Sequence, residues 1–195
     1  MSGGRLPLIA ILDGIRGAAN VSSVLRTLVA VGCSKVLTTA GTVDTTSERV
    51  VRESLNAASK LPLLGRLSWD AVSQHVPQGS KKFKSFSVYL CDSAMDTEWT
   101  SRGSAENERR SKKALPLADY ASVDYTDGLP AVLVLGSEAA GLSDAAYDLA
   151  RRHNGIRVHI PLSAGVESLN LAAAAAVIAF EIRQQLLTST AAVHN

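Results

Sequence analysis

Short apolar runs alternate along this chain with longer stretches in which apolar residues recur every three or four positions. Residues 8–12 form an unbroken apolar run closed by Asp13-Gly14, the pattern of a strand covered on both faces. Residues 22–31 read as a helix capped by Ser22 or Ser23 and stopped by Gly32. Strand 35–39 follows, then polar residues 41–47 and a helix over 48–58. A brief strand at 62–64 and a short helix at 70–75 come next. Residues 85–91 alternate and carry Phe86, Val88 and Tyr89, which suits a strand. Strands are predicted again at 131–135 and 157–160, and a long helix over 169–187. Strands that alternate with helices in this way specify an α/β layer fold, a mostly parallel sheet flanked by helices.

Composition narrows the class without naming a chemistry. With 195 residues, 46% of them hydrophobic and 19% charged, the chain has the size and apolar content of one domain. A domain of this size buries roughly 70% of its unfolded surface and needs no metal or disulfide to fold. The formal net charge of +2 and the apolar content exclude disorder of the whole chain. The longest uncharged apolar run, 171–180, is half the ~20 residues of a membrane span, so no membrane partner is expected. The apolar stretch at 7–12 is too short for a signal peptide. Two cysteines, Cys33 and Cys91, make no framework and fit a reducing compartment, with the cytoplasm as default and an organelle left open. Charge is not evenly spread. Within the polar stretch 92–113, residues 102–113 hold five basic residues against two acidic ones. This stretch reads as a flexible basic insertion that follows a strand, where ligands of open α/β sheets gather.

Several familiar chemistries are absent. After the first strand the chain reads D-G-I-R-G-A-A-N, not the dinucleotide fingerprint, and Gly136 to Gly141 is not followed by the Lys-Ser/Thr of a phosphate loop. His75, His153, His159 and His194 have no metal-ligand spacing, so no metal is expected. Gly136-Ser137-Glu138 lacks the second glycine of a nucleophile elbow. Three segments remain that composition alone leaves unexplained. D-G-I-R-G-A-A-N-V-S-S-V-L-R sets Asn20 at the end of a loop and Arg26 six residues on, inside an apolar helix. V-L-G-S-E-A-A-G-L sets Glu138 between glycines just beyond a buried strand. V-H-I-P-L-S-A-G-V-E-S-L-N-L-A-A-A-A-A opens the long helix, with Ser168 as a cap and Asn170 at the edge of its apolar part. Apolar residues occupy nearly every side of that helix, which suits a sheet on one side and a second subunit on the other.

In this order and spacing the three segments resemble the SpoU (TrmH-like) family of RNA 2′-O-ribose methyltransferases, within the SPOUT superfamily. The family motifs N-x-G-x-x-x-R, G-S-E-G-x-G-L and I-P-M-x-G-x-x-x-S-L-N match Asn20 to Arg26, Gly136 to Leu142 and Ile160 to Asn170. Ser22, Ala139 and Leu162 stand where the family usually has glycine, glycine and methionine. The resemblance covers residues 8 to about 185. It implies a single domain, without a separate RNA-binding domain, whose C-terminal part is tied in a deep trefoil knot. It implies a homodimer, an RNA substrate (tRNA or rRNA), and S-adenosylmethionine as cofactor. The cofactor would lie against Leu135, Gly136, Ile160 and Leu169. The catalytic set would be Arg26, Asn20, Glu138, Ser168 and Asn170. The resemblance gives Arg26 the part of general base; a guanidinium pKa above about 12 argues instead for a grip on an RNA phosphate, with the other four holding it and the ribose. Arg26, Arg109, Arg110, Lys112 and Lys113 would bind RNA. Two alternatives stay open: a non-catalytic RNA-binding member of the fold, and a methyltransferase directed at a base.

Overall fold

Strand β1 (Leu6–Asp13) is the apolar run at the start of the chain, buried at every position but Pro7. The computed structural model describes residues 4–77, 86–92 and 115–192. Six further strands complete one sheet: β2 (Cys33–Thr39), β3 (Leu63–Leu67), β4 (Val88–Cys91), β5 (Leu117–Asp119), β6 (Ala131–Gly136) and β7 (Ile156–His159). Their order is β3-β2-β1-β6-β4-β7-β5 and all six pairings are parallel. The expected α/β architecture is therefore present as a seven-stranded parallel sheet. In a parallel sheet every strand ends at the same edge. Asp13 is level with Gly136, and Cys91 with Leu135 and Val158, so the ends of β1, β6, β4 and β7 stand side by side at one edge.

The helices are α1 (Ala18–Val31), α2 (Glu48–Glu53), α3 (Trp69–His75), α4 (Asp144–Arg152) and α5 (Leu171–Ala192). Two cores result, one on each face of the sheet. Leu8, Leu12, Leu133 and Leu135 pack under α1 and α5; Ile9, Ile11, Val132 and Val134 pack under α3 and α4. The long helix α5 turns Leu171, Ala175, Ile178, Ala179, Ile182 and Leu186 inward. Among the described residues, Leu171–Thr190 is the one helix long and apolar enough to cross a membrane, and it includes the charged Glu181 and Arg183. Its inner face is committed to the core of this domain. Its outer face leaves Val177, Phe180 and Leu187 36%, 48% and 45% exposed.

Several boundaries differ from the sequence reading. Helix α1 starts at Ala18, with Gly17 as cap, rather than near Ser22; Ser22 is buried inside it and donates to the Val50 carbonyl. Its end at Gly32 is as predicted: the glycine is left-handed, φ 79°, and donates to the carbonyls of Leu28 and Val29. Helix α2 stops at Glu53 instead of reaching residue 58, because Leu55 and Asn56 take positive φ, and a single 3₁₀ turn follows at Ala57–Lys60. Helix α4 and strand β5 are additions to the sequence reading. The expected insertion at 92–113, with Arg109, Arg110, Lys112 and Lys113, lies outside the described residues beyond Asp92.

Candidate active site

Glu138 sits at the corner of a tight turn just past β6. Ser137 and Gly141 close that turn by exchanging backbone hydrogen bonds of 3.0 and 2.8 Å. Gly136 is required there: a Cβ on it would stand 2.6 Å from the Gly141 carbonyl oxygen. Asp13, at the end of β1, fixes the far side of the turn. Its carboxylate accepts from the Ser143 N–H at 2.7 Å and from the Thr39 hydroxyl at 3.1 Å. The loop that leads into α1 and the loop that carries Glu138 are thus built on one buried carboxylate.

Three of the five expected catalytic residues meet. Asn20 donates to Glu138 Oε2 at 2.7 Å, and Asn170 donates to Glu138 Oε1 at 2.9 Å and to Asn20 Oδ1 at 3.1 Å. The first N–H of α5, on Leu171, also donates to Glu138 Oε1 at 2.9 Å. A carboxylate only accepts, so each amide must turn its nitrogen toward Glu138, and the orientation of both side chains follows. Asn170 is also the N-cap of α5, because its Oδ1 accepts from the Ala172 N–H at 3.0 Å. Ser168 does not cap the helix; it lies exposed in the loop before it. The Leu171 N–H first, then Asn20 and Asn170, hold the Glu138 carboxyl below the usual glutamate range. Both Asn170 hydrogens and one of the two on Asn20 are used inside the cluster, which leaves an Asn20 N–H to donate outward.

Arg26 stands apart. It is exposed on α1, roughly 9 Å up the helix from Asn20 at 1.5 Å per residue, and bonds to no described residue. Three of the four residues expected to hold it, Asn20, Glu138 and Asn170, hold one another instead, and Ser168 and Arg26 lie outside their hydrogen bonds.

Beside the cluster opens a cleft of about 480 Å³ that crosses the ends of β6, β4 and β7. Gly136, Ile160, Leu169 and Ser168 line it, together with Glu138; Leu135 lies one residue back, buried in β6. Sequence reasoning passed over two other members of its wall, Asp92 and His159, because neither stands in a motif of its own. Cys91 also lines the cleft, but burial pushes its thiol up to about 12, and that of Cys33 to about 11. Both are protonated and free, and neither is a nucleophile at neutral pH.

Residues 7–180 match the model of the SpoU rRNA Methylase family. The chain belongs to the SpoU methylase family. Among curated relatives, the mitochondrial rRNA methyltransferase 3 of Mus musculus is 32% identical over 197 residues, 93% of this chain and 47% of that protein. The chain thus spans about half the length of the curated relatives it matches. Among solved structures, the SpoU methyltransferase AviRb from Streptomyces viridochromogenes has a TM-score of 0.72 at 24% identity, over 95% of this chain and 62% of that one. An AdoMet-bound rRNA methyltransferase from Sinorhizobium meliloti has a TM-score of 0.68 at 25% identity, over 92% and 56%.

In this SpoU member the cleft fits an S-adenosyl group. Its volume suits a small organic ligand, Leu142, Ile160 and Leu169 offer apolar walls, and the Glu138 carboxylate suits a positively charged guest. One wall also carries a buried ring nitrogen, His159 Nδ1, with no partner among the described residues.

Proposed function

We propose that this chain transfers a methyl group from S-adenosylmethionine to a ribose 2′-hydroxyl of a structured RNA. The observation that carries this reading is the Asn20–Glu138–Asn170 cluster at the mouth of the cleft. It is a preorganised set of amide donors arranged around one carboxylate. Such a set suits an in-line displacement, in which the protein has chiefly to align acceptor and methyl carbon.

The cofactor supplies an activated methyl group on a cationic sulfur. In the transfer, the 2′-oxygen bonds to the methyl carbon, the carbon–sulfur bond breaks with its electron pair staying on sulfur, and the hydroxyl proton leaves to solvent. Asn20, with one N–H turned outward, donates to the ribose oxygen and fixes its approach. Glu138 is not the base: its depressed pKa and its three bonds make it a weak acceptor of another proton. Its work is to hold Asn20 and Asn170 in one orientation. Arg26, exposed on the same helix as Asn20, captures a phosphate of the bound RNA through its two-pronged guanidinium. Ser168 closes the cofactor side of the site, with Leu135, Gly136, Ile160 and Leu169 around the cofactor. Arg109, Arg110, Lys112 and Lys113 extend the RNA contact.

Two features of the assembly belong to the same proposal. The exposed stripe Val177, Phe180 and Leu187 on α5 is the face of a homodimer. The C-terminal part threads a trefoil knot, which the sheet order supports, since β7 returns to lie between β4 and β5. The relatives named rRNA methyltransferases favour ribosomal RNA, and their mitochondrial names favour an organelle over the cytoplasmic default.

The test is direct. The purified chain is incubated with labelled S-adenosylmethionine and rRNA or tRNA transcripts, and the RNA is digested to nucleosides for mass spectrometry. A 2′-O-methylnucleoside is expected. A methylated base would replace the ribose reading, and cofactor binding without transfer to any RNA would favour the non-catalytic one.

A further inference from the structure

The cleft crosses the ends of β6, β4 and β7, which leaves the other half of the sheet edge, over β1, β2 and β3, open beside the Asn20–Glu138 cluster. That half is level and braced. Leu12 pairs with Thr38 and Thr39 with Leu67. The Gly14 N–H donates to Thr39 Oγ1 at 3.0 Å, and the Val43 N–H to the Ile15 carbonyl at 2.9 Å. Two exposed arginines stand on this rim, Arg16 in the loop between β1 and α1 and Arg66 near the end of β3. Of the ten described arginines, seven bond or pair with a described residue. Arg16, Arg26 and Arg66 do not, so the rim holds two of the three whose side chains are spare. Arg66 is also placed against its backbone preference. Between the pairs Leu37–Leu64 and Thr39–Leu67, β3 has one residue more than β2, and Arg66 takes φ 57° there. Its N–H donates to Thr38 Oγ1 at 3.0 Å, which holds the bulge. A bulge on an edge strand next to a site re-aims a side chain. Asp44 is its acidic neighbour: the Thr46 hydroxyl first, then the Thr46 N–H, with a smaller pull from Arg66, hold that carboxyl below the usual aspartate range. Both Thr46 bonds fall on Oδ1, at 2.7 and 2.8 Å, and Arg66 adds its charge without a bond.

We propose that Arg66 and Arg16 form a phosphate track along the ends of β3, β2 and β1, which guides one RNA strand to the Asn20 cluster from the side opposite the cofactor. This rests on the methyl-transfer reading above and names the surface on which its substrate lies. A guanidinium is a planar fork of donors that grips a phosphate through two parallel bonds. Strand β3 is the second neighbour of β1, so the two arginines stand on strands about 10 Å apart at the usual spacing. Strand β1 is in turn next to β6, so the row runs on to Glu138 without a gap. A single row of cations serves one backbone, not the two of a duplex. The strand it fits is therefore an unpaired one, whose ribose is free to turn toward the cleft mouth.

Fluorescence anisotropy of a labelled rRNA transcript with the full chain, at several salt concentrations, tests the track. Arg16→Gln combined with Arg66→Gln should weaken binding about tenfold. The salt slope should fall by about 1.4, the counterion release of two single-strand phosphate contacts. Arg5→Gln combined with Lys60→Gln removes the same charge from the opposite edge of the sheet and should leave affinity and slope close to wild type. Arg66→Gly suits a φ of 57°, so it should melt no lower than wild type and still lose RNA affinity. Affinity for S-adenosylmethionine, measured by calorimetry, should be the same in every variant. Wild-type affinity and slope in the rim pair, an equal loss in the opposite-edge pair, or a parallel loss of cofactor affinity would overturn the track. If the wild-type chain binds the transcript and methylates no RNA, the transfer reading fails and the track stands. If it binds no RNA at all, both fall.

Discussion

At the residue scale the centre of the site is one carboxylate that accepts three hydrogen bonds from two distant segments of the chain. Glu138→Gln keeps the shape and reverses one partner, because a glutamine NH₂ would face the Asn20 NH₂. Methyl transfer should fall by as much as ~10²-fold through misplacement of the amides. The melting temperature should barely move, since the carboxylate is exposed and screened. The small stabilising effect of Glu138 has a definite sign with pH. Its folded pKa is depressed, so the effect is complete above the ordinary glutamate pKa and fades as pH falls through the folded value. Melting curves of the two proteins should therefore converge in acid. Arg26 tests a different idea, that an exposed arginine with no partner among the described residues is there for the substrate. Arg26→Ala should leave stability and cofactor affinity nearly intact and cut single-turnover transfer by ~10²-fold, and Arg26→Lys should recover little. A fully active but less stable Arg26→Ala protein would sink the assignment.

At the element scale the loop between β6 and α4 decides whether Glu138 can be reached by its partners. Gly136→Ala sets a Cβ against backbone of Gly141 and Leu142, which cannot yield without opening the turn. The expected cost is about 1–3 kcal/mol of overpacking, read as a fall of several degrees in melting temperature. Cofactor affinity should drop with it, since Gly136 lines the cleft. An alanine variant with wild-type melting and binding would show that the turn relaxes freely. The start of α5 is the complementary element. Asn170 is at once its cap and a member of the cluster, so the long helix and the site are set by one side chain.

At the scale of the molecule the open question is what covers the outer face of α5. Ala175 and Ile178 are fully buried in the protomer core, so a charge there would damage the fold rather than report on association. Phe180, 48% exposed, is the informative position. Phe180→Glu should halve the mass seen by light scattering while the protomer melts as before. An unchanged mass would place the dimer contact elsewhere.

Most of the layered fold could be read from period alone. The unbroken apolar runs of β1 and β6, the glycine stop after α1 and the apolar girth of α5 each have a local physical cause. Asn20, Glu138 and Asn170 were legible as well, because each stands in one of three segments whose order and spacing match the family motifs. What sequence could not supply is adjacency. Asn20 and Glu138 are 118 residues apart, and Asn20 and Asn170 are 150 apart. They meet only because β1 and β6 pair in parallel with their ends level. The tertiary structure also made Asn170 rather than Ser168 the cap of α5, left Arg26 outside the cluster, and brought Asp92 and His159 into one wall. Period is a property of neighbours along the chain, and a site belongs to the ends of strands that the sheet alone sets side by side.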